Sequence, residues 1–473
     1  MQNTEEFRQE HDFIGNRDIP NTAYYGVQTL RAMENFHISG VTMKNYPTII
    51  RGLAEIKLAC AKANYDLKLL TDEQIKAMET ACNEVAAGKF DDQFPTDMFQ
   101  GGAGTSTNMN ANEVIANRAL ELMGHKKGEY KFCHPNDHVN LAQSTNDAYP
   151  CAMKLGLYYH SDKLVKALEL IIKAFRNKAE EFKNVIKMGR TQLQDAVPMT
   201  LGQEFEVYAK TLEIELCKLK ENAKELLVTN LGGTAIGTGI NADPRFSDLA
   251  VKHLCDITKL DCKLADNLIE ATPDTSEFVT FSSMLKRIAI KVSKTCNDLR
   301  LMGSGPRCGL LEINLPKMQP GSSIMPGKVN PVIPEVMNQA CFKVIGNDLA
   351  VTMAAEAGQL ELNVMEPVIV ECLFQSVDLL SNGLNTLRTL CIDGITANED
   401  RCREMVNNSI GIVTALNPIL GYEKSAYLAK TALETGASVY DLVLKEKFLT
   451  KAELDEALKP ENMLAPKEMT MLK

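Results

Sequence analysis

The chain has 473 residues, a length that suggests about three domains and room for a large core. Hydrophobic residues make up 45% and charged residues 24%, an ordinary balance for a soluble globular protein. A formal net charge of -10 excludes non-specific nucleic-acid binding, which needs a basic surface, so an anionic ligand has to be met by local donors.

At the start, Met1-Gln-Asn-Thr-Glu-Glu-Phe-Arg8 lacks the apolar run of a secretory signal, and no later stretch is long enough to cross a bilayer. A cytoplasmic protein without a membrane partner is expected. The 13 cysteines are odd in number and contain no C-x-x-C pair. Placed singly in helical patterns (Cys60, Cys217, Cys296, Cys341), they read as small core residues of a reducing compartment.

Residues 1–140 mix short helices with glycine-rich loops. Within them, Gly101-Gly-Ala-Gly-Thr-Ser-Thr-Asn-Met-Asn110 precedes a helical stretch from Glu113. Its glycines allow close backbone approach, and its hydroxyls suit either a carboxylate or plain helix capping. His134-Pro-Asn-Asp-His138 follows. Its two histidines are four apart, but Pro135 argues against a helix and no cysteine or acidic ligand set accompanies them, so no metal site is expected. Next, Gln143-Ser-Thr-Asn-Asp147 sets three side-chain donors ahead of a long helix from Asp147 to Phe182, bent near Ser161-Asp162.

Residues 141–396 form a long-helix block. Gly189-Arg-Thr-Gln-Leu-Gln-Asp195 stands at the entrance of a helix running from Pro198 to Val228, whose seam is Leu201, Phe205, Tyr208, Leu212, Leu216, Leu219, Ala223 and Leu226. Arg190 suits a structural salt bridge better than a ligand. A second seam, from Phe278 and Phe281 to Cys296 and Leu299, opens at Asp274-Thr-Ser276. The run Gly321-Ser-Ser-Ile-Met-Pro-Gly-Lys-Val-Asn-Pro331 then places two hydroxyls, a lysine and an amide in one loop, ahead of a helix opening at Pro334. Residues 397–473 return to short helices, with turns at Leu416-Asn-Pro418 and Glu434-Thr-Gly436.

Three of these four polar clusters therefore stand at long-helix entrances and the fourth precedes another helix. Helices that long call for a bundle, and apolar residues beyond one face favour an oligomer. Gathered together, the clusters form a pocket of uncharged donors with one lysine, which suits a small dicarboxylate.

At these residues the sequence resembles the aspartase/fumarase superfamily. Gly321 to Pro331 is close to its signature loop, and the likeness extends from Pro20-Asn-Thr-Ala-Tyr-Tyr-Gly26 to the C-terminal segment. Lys187 to Pro198, Asn330 to Gln339 and Gln359 to Pro367 are similar to the aspartase branch, whereas class II fumarases typically have Thr-Gln-Cys-Glu where this chain has Val332-Ile-Pro-Glu335. The resemblance implies an all-α, three-domain chain whose central bundle forms a homotetrameric core, with active sites shared between subunits. It implies reversible conversion of L-aspartate to fumarate and ammonia, with no cofactor and no metal. On that mapping Ser322 removes the Cβ proton. Thr105, Ser144, Thr145 and Ser323 hold the β-carboxylate. Asn146 and Gln192 face the amino group, and Thr191, Lys328 and Asn330 hold the α-carboxylate. Many relatives have histidine where this chain has Gln192, which leaves open how departing ammonia is protonated. Fumarate hydration, or a helical assembly protein without catalysis, are the rival readings.

Overall fold

Capping residues and prolines set where the helical periodicity turns into helix. The computed structural model describes residues 6–464. The first five residues, which entered the expectation about a signal segment, lie outside that range.

Strands β1 (Phe7–Asp12) and β2 (Gly15–Pro20) form an antiparallel hairpin, with Phe7 opposite Pro20. Helices α1 (Val27–Asn35), α2 (Pro47–Asp66), α3 (Asp72–Ala86) and α4 (Thr105–Leu122) follow. Pro47 occupies the first position of α2, where its missing N–H would have no partner anyway. A reciprocal cap opens α3: Thr71 Oγ1 accepts from the Gln74 N–H at 3.2 Å, and Gln74 Oε1 accepts from the Thr71 N–H at 3.0 Å.

Helix α5 (Thr145–Glu181) has 37 residues and is about 55 Å long. It contains Pro150, which has no N–H for the Asn146 carbonyl; the Asn230 side chain donates to that carbonyl instead, at 3.1 Å. The helix passes through Ser161 and Asp162 without interruption.

Residues 186–200 do not lead straight into a helix but form an antiparallel hairpin, β3 (Ile186–Thr191) and β4 (Gln194–Thr200), with Pro198 opposite Met188. The helix begins only at Leu201, because Thr200 and Gln203 cap it reciprocally at 2.9 and 3.0 Å. This α6 (Leu201–Asn222) ends in a 3₁₀ turn over Ala223–Leu227, yet every residue of the expected seam is buried.

Short β5 (Val228–Thr229) precedes α7 (Phe246–Thr258) and pairs in parallel with β6 (Lys263–Leu264). The seam of α8 (Ser276–Met302) is buried from Phe278 to Leu299, as its spacing requires. Strand β7 (Ile313–Asn314) comes before α9 (Val332–Glu356), which opens two residues ahead of Pro334, and α10 (Glu366–Leu390). Strand β8 (Thr396–Ala397) pairs antiparallel with β7. The chain ends in α11 (Glu399–Asn408), α12 (Val413–Leu420), α13 (Tyr422–Thr435), α14 (Val439–Lys445), α15 (Lys451–Ala457) and α16 (Pro460–Met463). The fold is mainly helical, and its described sheets are all two-stranded.

Two compact units divide the chain. The first comprises residues up to Val165, Cys217–Ala289 and Phe342–Leu380. There α2 packs on α3 and α7, burying Ile49, Leu53, Ile56, Met78 and Leu254. The second comprises Lys166–Leu216, Ile290–Cys341 and the residues from Ser381. In it Ile186 and Met188 of β3 pack with Val406, Leu416, Leu428, Val443 and Leu454 of the C-terminal helices. All 13 cysteines are free, and Cys60, Cys296 and Cys341 are buried. Cys217 is exposed, contrary to expectation, because it lies one position off the seam between Leu216 and Leu219. No helix among the described residues is long and apolar enough to cross a membrane.

Candidate active site

The first unit brings Thr105, Ser144, Thr145 and Asn146 to two neighbouring helix starts. Thr105 is the exposed first residue of α4, and its hydroxyl donates to the Gly102 carbonyl at 2.7 Å. Gly104 caps that helix with φ 87° and lies against the Tyr149 ring of α5; a Cβ there would sit 2.5 Å from ring carbons. Only glycine allows this approach of the two helices. The α4 side chain of Asn108 closes the remaining distance by donating to Thr145 Oγ1 at 3.3 Å.

Asp147 organises the start of α5. This buried carboxylate accepts the Ser144 N–H at 2.9 Å and, through its other oxygen, the N–H groups of Gly232 (3.1 Å) and Thr234 (2.9 Å). Burial raises its pKa to about 6, while the backbone donors work in the other direction. Ser144 Oγ accepts the Asn146 N–H at 3.2 Å, and Asn146 Nδ2 donates to the Ala235 carbonyl at 2.8 Å, so the amide oxygen of Asn146 has no hydrogen-bond partner among the described residues. A cavity of about 300 Å³ runs past Ser144, lined also by Asn140, Gln143, Thr234 and Asn241. That is ample for a four-carbon dicarboxylate.

The second unit gathers Ser322, Ser323, Lys328 and Asn330 in one loop. Its ends are stapled: the Gly321 N–H donates to the Lys328 carbonyl and Asn330 Nδ2 to the Gly321 carbonyl, both at 2.8 Å. At Gly321 a Cβ would come within 2.7 Å of the Asn330 nitrogen, so the staple requires glycine. Ser322 Oγ accepts two backbone N–H groups, from Ile324 at 3.2 Å and Met325 at 3.0 Å. Two donors aimed at one hydroxyl oxygen favour its alkoxide form. Ser323 to Val329 are exposed, Ile324 at 83%.

Thr191 and Gln192 also lie in the second unit, but at the exposed tip of the β3–β4 hairpin and not at a helix entrance. Gln192 and Leu193 form the two-residue turn with φ 54° and 61°, the conformation that follows strand twist. Arg190 makes the structural ion pair expected of it, donating to Glu312 Oε1 at 2.7 Å, and Lys187 stands 3.5 Å from the other oxygen of that buried carboxylate. Of the histidine pair, Pro135–Val139 does form a single π-helical turn, since Pro135 sits in its first position. His134 Nδ1 there accepts the Asn136 and Asp137 N–H groups, and His138 Nδ1 accepts the His134 N–H. No cluster of three or more potential metal ligands occurs among the described residues.

Sequence reasoning missed the support beneath the first group. Lys57 donates to Asn108 and Asn140 behind the Ser144 turn, while Asp147 separately holds the Ser144 N–H. One signal was available: Lys57 stands within the otherwise apolar run Ile56-Lys-Leu-Ala-Cys60 of α2.

Comparison with known proteins places the chain among lyases. Residues 15–346 match the family described as Lyase, and residues 412–465 match Fumarase C C-terminus. The chain is 59% identical over 468 residues to an aspartate ammonia-lyase of Pseudomonas canavaninivorans, covering 99% of each chain. To an aspartate ammonia-lyase of Escherichia coli K12 it is 54% identical over 460 residues, 97% of this chain and 96% of that one. Among solved structures, a fumarate lyase:delta crystallin from Brucella melitensis bound to cobalt superposes with a TM-score of 0.95 at 52% identity, covering 98% of this chain and all of that one. A class II fumarase from Schistosoma mansoni gives 0.90 at 35% identity, over 97% and 99% of the two chains.

Proposed function

We infer, for a chain that belongs to the aspartase/fumarase family of lyases, the reversible elimination of ammonia from L-aspartate to give fumarate. This carbon–nitrogen lyase activity rests on the 54–59% identity to aspartate ammonia-lyases over nearly the whole length. The likeness to a class II fumarase is much lower, at 35%.

The mechanism is our reading of the geometry. Ser322, as alkoxide, removes a proton from Cβ; the electron pair first loads the adjacent β-carboxylate and then forms the carbon–carbon double bond as the Cα–N bond breaks. The single observation that carries it is the pair of N–H groups from Ile324 and Met325 on Ser322 Oγ, which stabilise the alkoxide that a serine otherwise rarely forms. Ser144, Thr145 and Ser323 donate to the β-carboxylate as its charge grows, and Thr105 joins them by turning its hydroxyl hydrogen away from the Gly102 carbonyl, each such donor contributing roughly 3 kcal/mol. Thr191, Lys328 and Asn330 hold the α-carboxylate, and Asn146 and Gln192 face the amino group. Gln192 has no proton to give. An ammonium group leaves as neutral ammonia without one, so glutamine suffices there.

We further propose that the active site is completed by neighbouring subunits of a homotetramer in the cytoplasm. Helix α9 supports this reading, since Phe342, Leu349 and Met353 recur on one of its faces at 61%, 62% and 64% exposure. The organisation into residues 1–140, 141–396 and 397–473 belongs to the same proposal; the Fumarase C C-terminus match at 412–465 falls within the last segment. Following fumarate absorbance with aspartate and with malate supplied separately tests the reaction. Turnover of aspartate is expected and should fall by at least about 1000-fold in Ser322→Ala. A Ser322→Ala enzyme within a few-fold of wild type removes the serine base, and malate as the preferred substrate removes the ammonia-lyase reading.

A further inference from the structure

Behind the Ser144 turn lies a cation that no step above uses. Lys57, in the middle of α2, is fully buried. Its Nζ donates to Asn108 Oδ1 at 2.7 Å, Asn140 Oδ1 at 2.9 Å and Gln143 Oε1 at 2.9 Å. An ammonium group has three donors and no acceptor, so all of its capacity is spent on neutral amides.

The charge thereby fixes how each amide is turned. With three oxygens drawn to Lys57, the three NH₂ groups must point away from it. Gln143 Nε2 donates to the Val139 and Leu141 carbonyls at 3.0 and 3.1 Å, and Asn140 Nδ2 to the Gln143 carbonyl at 3.2 Å. Asn108 Nδ2 donates to Asn140 Oδ1 at 3.1 Å and to Thr145 Oγ1 at 3.3 Å. Thr145 is therefore an acceptor towards the protein, and its own hydroxyl hydrogen finds no acceptor among the described residues. A hydroxyl already accepting a hydrogen bond is the stronger donor in its remaining direction.

We infer that Lys57 is a positioning residue for the reaction: it orients Asn108, Asn108 occupies the Thr145 oxygen, and the Thr145 O–H is left to donate to the substrate carboxylate. This rests on the reading of Thr145 as a carboxylate ligand. The relay brings the influence of a buried positive charge to the site through neutral groups, while the lysine itself stays out of reach of substrate. Its surroundings agree. Burial lowers the Lys57 pKa to about 8. The groups facing it are Asp147 from α5 and the thiols of Cys60 on α2 and Cys82 on α3, both held uncharged by burial. Above about pH 8 the lysine loses its proton, and with it the force that orients the amides.

Asn108→Asp is the discriminating variant. Its carboxylate still accepts from Lys57, so the fold keeps its anchor, but it has no N–H for Thr145 and instead draws the Thr145 hydrogen inward. In the full-length enzyme at saturating aspartate, kcat of the folded variant is expected to fall about 100-fold, with the melting temperature lowered by the lost Asn108–Asn140 contact and measured alongside. Adding Thr145→Val should cost no more than about threefold further, because both changes remove one donor. Wild type is expected to lose kcat/KM above about pH 8, and Lys57→Met to lack that alkaline loss. Wild-type kcat in Asn108→Asp, losses that multiply in the double variant, or an unaltered alkaline limb in Lys57→Met each overturn the relay. If Thr145→Val alone keeps full activity, the carboxylate reading of Thr145 fails first. If it is impaired while Asn108→Asp is not, only the relay fails. Should Lys57→Met not fold, the Asn108 and Thr145 arms still decide.

Discussion

Gly102 and Gly104 offer a matched pair of perturbations beside the proposed β-carboxylate site. Both have φ 87°, so alanine at either pays a left-handed backbone cost of about 1–2 kcal/mol. Their surroundings differ. A Cβ on Gly102 would find its nearest neighbour, Thr105 Cβ, at an ordinary 3.8 Å. A Cβ on Gly104 would lie 2.5 Å from the Tyr149 ring, which is fully buried and has nowhere to retreat. Relieving that overlap adds about 1–3 kcal/mol and displaces the first turn of α4, which carries Thr105. Gly104→Ala is therefore expected to lose about 2–5 kcal/mol against about 1–2 for Gly102→Ala, read from urea denaturation. A shift of about 1 Å in a binding group costs on the order of 100-fold, so kcat/KM should fall that far in Gly104→Ala and only a few-fold in Gly102→Ala. Equal effects of the two alanines on both stability and kcat/KM would show that Tyr149 does not hold α4 in register.

Arg190→Met leaves the buried Glu312 carboxylate short of its nearest cation and should destabilise by about 3–5 kcal/mol; adding Glu312→Leu should recover much of that, and a double variant no better than the single refutes the pairing. Burial pushes the Glu366 carboxyl from an ordinary 4.5 up to about 8, with Lys154 opposing. The folded state then holds this proton more tightly than the unfolded chain, so stability is lost as pH rises from about 4.5 to about 8. Glu366→Gln escapes that loss, and its melting temperature should gain on wild type between pH 5 and pH 8, a difference on the order of a few kcal/mol; a gap independent of pH counts against it. Leu349→Glu places a charge in the exposed apolar stripe of α9, and light scattering should show a smaller particle than wild type.

How legible the molecule was depends on the range of the interaction concerned. The α8 seam could be read directly, because its steps of three and four repeat a helical period and every predicted position is buried. The β3–β4 hairpin could not. Its turn is Gln192-Leu193, without the asparagine or glycine that normally announces two left-handed residues, and the helical period of α6 reads back over Pro198. The loop of Ser322 was recognisable from its residue types, but the two N–H groups converging on Ser322 Oγ depend on how the chain curls at Ile324 and Met325.

Residue chemistry and periodicity along the chain determined the helical class, the uncharged donor set and the lyase signature. These are properties of neighbours in sequence. The tertiary structure alone decided which donors have a free hydrogen. Lys57 reaches Asn108, Asn140 and Gln143 from 51, 83 and 86 residues away. A buried ammonium group must satisfy its three donors wherever the fold supplies oxygens, and no local pattern records where those oxygens will be.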